Sequence, residues 1–185
     1  MIRTLDFFIS LFGLLLLLPL SIIIFVIGFF YNGAPLFYQE RIGQNEKPFI
    51  LVKFRTMRKD TLSVASHIAD VSAITPFGHF LRKTKLDEIP QLWNVLKGEM
   101  SIVGPRPGLF NQHELRSARK RYGVFLVRPG ITGLAQINNI DMSTPEFLAK
   151  TDARMIKSFS VYFYFKYIFL TLLGMGQGDT VRDNR

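Results

Sequence analysis

The sequence predicts an α+β fold, predominantly helical, in which a membrane-embedded N-terminal helix precedes a domain built from a small β-hairpin and amphipathic interfacial helices. Three observations carry this. Residues 7–31 read FFISLFGLLLLLPLSIIIFVIGFFY and contain no charge. Residues 35–57 have the pattern of two short strands around a polar turn. From Leu86 onward, apolar residues recur at helical spacing in separate segments.

The apolar run is long enough for a helix to cross a hydrocarbon core of roughly 30 Å. It is too long for a cleaved leader, and no small-residue cleavage site closes it. Pro19 sits near its middle, removes a backbone donor and crowds the preceding turn. It either kinks a spanning helix or breaks the membrane segment so that the chain returns to the face it entered. In the second case Arg3 and Asp6 lie on the same side as the basic domain, and the positive-inside tendency puts that domain in the cytoplasm either way. The boundary falls at Asn32-Gly33, giving a membrane-embedded segment 1–33 and a membrane-associated domain 34–185.

In the hairpin, Ile50, Val52 and Phe54 share one face, and Leu51, Lys53 and Arg55 the other. A solvated sheet face accounts for Lys53 and Arg55 as well as a binding role does. Residues 60–75 are polar and weakly patterned, as in a loop or short helix. In KTKLDEIPQLW, Leu86, Ile89, Leu92, Trp93 and Leu96 have helical spacing, and Pro90 is tolerated only in a first turn. The helix therefore starts close to Asp87 and ends at Lys97-Gly98. Asp87 and Glu88 then lie at a helix N-terminus, where carboxylates cap and complement the dipole. They also lie among Arg82, Lys83 and Lys85, which leaves chemistry as the competing reading.

The apolar run of MSIVGPRPG stops at Gly104, and Pro105 and Pro107 stiffen the backbone on both sides of Arg106. An arginine held this way loses less freedom on gripping a phosphate. Arg128 precedes Pro129-Gly130 in a second fixed turn. Residues 113–122, HELRSARKRY, form a basic helix, either solvated or against anionic lipid. Pro145–Lys157 is a helix containing Asp152. Residues 159–173 are apolar and aromatic but too short to span, which suits an interfacial helix or a buried one. The tail from Gly174 is expected to be mobile, and its glycines make no dinucleotide fingerprint.

The bulk numbers agree with a phosphate-handling protein. The 185 residues suit one domain with an appendage, and 23 Lys+Arg against 14 Asp+Glu give a net charge of +9. That balance favours anionic partners. Cysteine is absent, so disulfides, thiolate catalysis and cysteine zinc sites are excluded. His67, His79 and His113 are scattered without metal-ligand spacing. Paired acids among cations suit phosphoryl chemistry, with Mg²⁺ on the carboxylates or one carboxylate as nucleophile.

KFRTM, LDEIPQLWNVLKGEMSIVGPRP and RPGITGLAQI, in that order after one hydrophobic segment, resemble the bacterial sugar transferases. These are the monotopic phosphoglycosyl transferases, here in their small form. The resemblance implies transfer of a sugar 1-phosphate from a UDP-sugar to undecaprenyl phosphate, with release of UMP, at the bacterial cytoplasmic membrane. It implies Mg²⁺ as cofactor, Asp87 as nucleophile, and Glu88 as metal ligand or phosphate-positioning acid. Lys53, Arg55, Arg82, Pro105, Arg106, Pro107, Arg128 and Asp152 are assigned to substrate and phosphate. It also implies a re-entrant membrane helix broken at a Ser-Pro pair, which here is Leu18-Pro19. UDP-sugar, undecaprenyl phosphate and membrane lipids are the expected partners, and nucleic acid is not one. The competing readings are a non-enzymatic basic membrane protein that binds acidic lipid or nucleic acid, and a Mg²⁺-dependent lipid phosphatase.

Overall fold

The computed structural model describes residues 1–59, 61 and 71–176. Most of the expected 60–75 loop and most of the tail lie outside these residues. The short part that is described, Val71–Ala73, forms a 3-10 turn, and Ile74 bridges to Met57.

Helix α1, Ile2–Asn32, is closed by Gly33 in the left-handed conformation, whose N–H returns to Phe29 O. Pro19 does not end the helix: α1 runs through it from Ile2 to Asn32. A proline costs one helical hydrogen bond and some crowding, and the turns on either side keep theirs. Both ends of α1 are tied to the same globular body. Near the start, Asp6 is buried and its Oδ1 accepts from Ser101 Oγ at 3.0 Å, Ile102 N at 3.0 Å and Tyr164 Oη at 2.9 Å. In the middle, Leu17, Leu20 and Ile24 pack with Phe54, Leu81 and Ile89. Near the end, the Tyr31 ring stacks on Phe77 at 5.8 Å. The opposite face, including Phe12, Leu16, Ile23 and Phe30, is uncovered.

Strands β1, Leu36–Ile42, and β2, Pro48–Phe54, form the antiparallel hairpin. Its burial inverts the expected solvated face. Phe49, Leu51 and Lys53 are turned inward, and Ile50 on the other face is exposed. The reason is α1 and the following helices, which cover the Leu51 side. Helix α2, Pro76–Thr84, is capped by Thr75, whose hydroxyl accepts from Gly78 N. A Cβ at Gly78 would fall 1.9 Å from Thr56 O, so only glycine lets α2 sit this close to the end of the hairpin.

Helix α3, Gln91–Lys97, ends at Gly98 in the left-handed conformation. Beyond it, β3, Ser101–Val103, pairs in parallel with β4, Gly130–Thr132. Sequence pattern did not suggest this two-stranded sheet, because three-residue strands carry no usable alternation. A Cβ on Gly130 would lie 2.0 Å from Gly104 N, so glycine is what permits the approach. Helices α4, His113–Arg121, α5, Leu134–Ile137, α6, Pro145–Lys157, and α7, Val161–Leu172, complete the fold. Helix α7 buries Tyr164 and Tyr167 and exposes Tyr162, Phe165, Phe169 and Leu172, so it has both a core face and an apolar outer face.

Candidate functional site

Asp87 and Glu88 do not begin α3. They occupy a 3-10 turn, Leu86–Glu88, between α2 and α3, and neither caps a helix. The residue at the N-cap of α3 is Pro90, whose ring carries no polar atom to cap with. Lys85 takes the left-handed conformation at φ 58°, and this single residue swings the chain from α2 into the turn. The acids are drawn inward as a result: Asp87 is 2% and Glu88 8% exposed. Burying two carboxylates side by side is costly unless cations and donors surround them.

Several cations do. Arg106 Nη2 lies 3.0 Å from Glu88 Oε1. The Lys85 ammonium is pushed down from the ordinary lysine value by burial, Glu88 working against that shift and Arg106 with it. Its Nζ donates to Met175 O at 2.7 Å, so the chain end crosses beside the turn. Lys53, 6% exposed, lies on β2, which packs against the Leu86–Glu88 turn, and its Nζ stands 5.6 Å from the Phe37 ring centre. Arg82 stands in the last turn of α2 and donates from Nε to Thr56 Oγ1 at 2.8 Å. Glu88 and Arg106 are thus brought together, and Arg82 and Lys53 stand on α2 and β2, the elements that pack against the turn holding Asp87. Lys85 joins them.

Three assigned residues are placed elsewhere. Arg55 Nε donates to Ala34 O at 3.0 Å and Nη2 to Leu36 O at 3.3 Å, which clasps the hairpin to the end of α1. Arg128 lies at the far end of α3, where its Nε donates to Gly98 O at 2.8 Å. Arg3 bonds Leu96 O at 2.7 Å and Val95 O beside it. Arg3, Asp6, Pro105 and Arg128 line a cavity of about 300 Å³ whose lining includes neither Asp87 nor Glu88. Asp152 is fully buried, and both Arg119 Nε and Nη2 donate to its Oδ2, at 3.0 and 2.8 Å. Burial pushes the Asp152 carboxyl above the ordinary carboxylate range, and Arg119 opposes that rise.

The basic helix is not an open patch. Arg116 and Lys120 pair with Glu46 at 2.7 and 3.5 Å, Arg121 with Glu146 at 2.5 Å, and Arg119 is buried on Asp152. Sequence reading passed over Arg119 because it saw a Lys/Arg-rich run. A signal was available, since Leu115, Ala118 and Arg119 fall on one helical face.

The prolines of the Gly104–Gly108 loop are buried, and only the Arg106 side chain between them is partly exposed. Two adjacent carboxylates fit Mg²⁺, which commonly takes one or two protein acids and completes its shell with substrate phosphate and water. Among the described residues no group of three or more acids or histidines gathers, so a cage made wholly of side chains is not present there.

Paired acids with arginine and lysine at one buried turn are residue types that phosphoryl chemistry uses. The chain matches the bacterial sugar transferase family over residues 1–178. It belongs to that family. It is 35% identical to the UDP-galactose-lipid carrier transferase of Erwinia amylovora, over 92% of this chain and 39% of that protein. It is 40% identical to the UDP-glucose:undecaprenyl-phosphate glucose-1-phosphate transferase of Escherichia coli K12, over 76% of this chain and 32% of that protein. The uncharacterized sugar transferase EpsL of Bacillus subtilis is 39% identical, over 76% of this chain and 69% of its own length. The chain thus spans about two fifths or less of the first two relatives and over two thirds of the third.

Proposed function

We propose that this chain transfers a sugar 1-phosphate from a UDP-sugar to undecaprenyl phosphate and releases UMP, through a phosphosugar-aspartyl intermediate on Asp87. The observation that carries the reading is the buried Asp87-Glu88 turn with Arg106 on Glu88. The relatives' printed substrates, a UDP-sugar and undecaprenyl phosphate, supply the substrate class.

The Asp87 carboxylate attacks the β-phosphorus of the UDP-sugar, forming an acyl-phosphate bond. The bond from that phosphorus to the bridging oxygen breaks, and the oxygen leaves on UMP. An oxygen of undecaprenyl phosphate then attacks the same phosphorus, Asp87 departs, and the sugar is left on a lipid diphosphate. Arg106, Lys53, Arg82 and Lys85 stabilise charge on the phosphorus and the leaving group. Glu88 holds Arg106 in place, and Asp87 and Glu88 are the residues that would hold Mg²⁺. Bound there, the cation would neutralise the diphosphate and polarise the phosphorus under attack.

The same reading places α1 in the bacterial cytoplasmic membrane as a re-entrant element, with the domain in the cytoplasm. Support comes from the docking of both α1 ends on one body. A helix crossing a core of about 30 Å would hold its ends on opposite sides. The uncovered faces of α1 and α7 would meet lipid.

The test is purified protein in vesicles with Mg²⁺, undecaprenyl phosphate and a panel of UDP-sugars. UMP release and a lipid-linked sugar diphosphate are expected. Release of inorganic phosphate without that lipid product would replace this reading with a lipid phosphatase. For topology, an N-terminal tag should be reached by protease from the cytoplasmic side, and protection of the tag would mean that α1 spans.

A further inference from the structure

The Gly104–Gly108 loop is pinned through its backbone. Each of its carbonyls accepts a hydrogen bond from a group distant in sequence. Gly104 O takes Gln136 Nε2 at 3.0 Å, and Pro105 O takes Gly130 N at 2.8 Å. Arg106 O takes Arg119 Nη1 at 2.7 Å, and Pro107 O takes Arg41 Nη1 at 2.9 Å. Gly108 O takes Ile42 N at 3.0 Å. The donors come from α5, β4, α4 and β1, so the loop is fixed from several sides at once.

Two of these donors are buried guanidiniums with no other evident task. Arg119 is 2% exposed and divides its fork, Nε and Nη2 on Asp152 and Nη1 on Arg106 O. Arg41 is likewise buried, with Nη2 on Gln39 Oε1 and Nη1 on Pro107 O. Burying a charged pair such as Arg119–Asp152 brings little net stability over a well-packed apolar pair. Its geometric product here is a fixed carbonyl at Arg106, whose side chain meets Glu88.

We propose that Arg119 and its counter-ion Asp152, with Arg41 beside them, are positioning residues that act through the Arg106 backbone to hold its guanidinium against Glu88. Among the described residues, the Arg119 fork goes to Asp152 and the Arg106 carbonyl and not to Asp87 or Glu88. The proposal rests on the sugar-phosphate transfer reading, and the experiment below has one arm that does not need that activity.

Asp152→Asn leaves a buried guanidinium without its counter-charge and is liable to unfold, so Arg119→Lys is the deciding variant. It keeps the charge and the pairing with Asp152 but offers one nitrogen in place of a planar fork, so it cannot hold both acceptors in their present directions. In the full chain in vesicles, hydrogen exchange over residues 102–112 should quicken by about tenfold while β2 stays protected. With Mg²⁺, undecaprenyl phosphate and UDP-glucose, UDP-galactose or UDP-N-acetylglucosamine, kcat should fall by about 10- to 100-fold with KM nearly constant. In an Arg106→Ala background, adding Arg119→Lys should lower kcat no further, because the two act as one unit. Unchanged loop exchange, exchange that quickens equally throughout the chain, or losses that multiply in the Arg106→Ala background would overturn the proposal. If the wild-type chain releases no UMP from any donor, the transfer reading fails, and the exchange arm alone decides whether the pair holds the loop.

Discussion

The two ends of α3 are both dressed with arginine, yet they do opposite things. At the N-terminal end the acids are side chains, Asp87 and Glu88, and Arg106 meets one of them with its guanidinium while its own backbone is held by others. At the C-terminal end the acceptors are the carbonyls of Val95, Leu96 and Gly98, and Arg3 and Arg128 donate to them. One end gathers charge around a buried acidic turn. The other satisfies the last carbonyls of a helix and complements its dipole. An arginine in a Pro-fixed turn is therefore not by itself a phosphate ligand; where its donors go decides. Arg106 and Arg128 have nearly the same local sequence, each followed by proline, and different fates.

That contrast can be broken in a graded way. Asp87→Asn should lower UMP release by about 10⁴-fold or more and leave no trapped phosphosugar adduct, since a nucleophile is lost outright. Retained adduct would move the reactive group elsewhere. Chelation of divalent ions should abolish turnover of the wild-type chain and Mg²⁺ should restore it; full activity in chelator would remove the metal from the Asp87-Glu88 turn. Arg106→Ala should cost about 10²- to 10³-fold in kcat, the usual scale for one donor aimed at developing charge. Arg128→Ala should change UMP release by less than about tenfold and instead lower unfolding free energy by about 1.5–3 kcal/mol, the scale of a hydrogen bond from a charged group. A larger loss of activity with unchanged denaturation would return Arg128 to the substrate and undo the comparison. Arg55→Ala should be smallest, with about 1 kcal/mol of stability lost and activity retained.

Much of the chain was legible before the structure. The hairpin, α1, α4, α6 and α7 all fall close to their expected bounds, because each depends on local signals: apolar length, alternation, glycine and proline at the ends. Asp87 and Glu88, adjacent in sequence, are buried together in one turn. What failed was direction. Strand alternation left Lys53 between a solvated face and a binding role, and the body packed over that face buried it. Asp152 was grouped with substrate, although its partner Arg119 lies 33 residues away on another helix. The β3–β4 pair escaped notice because its parallel register is set by glycine contact between distant turns.

The sequence by itself determined the long apolar helix, the order of the elements, the acid pair and the stiffness of the Gly104–Gly108 backbone. Those follow from residue type and spacing within a few turns of chain. Only the tertiary structure decided which cations face the acids and which serve carbonyls, and that both ends of α1 rest on one body. It also decided that Asp87 and Glu88 are buried in a turn rather than set at a helix cap. The reason is physical: a charged side chain reaches several ångströms and takes the best partner within range, and the fold alone brings those partners within range.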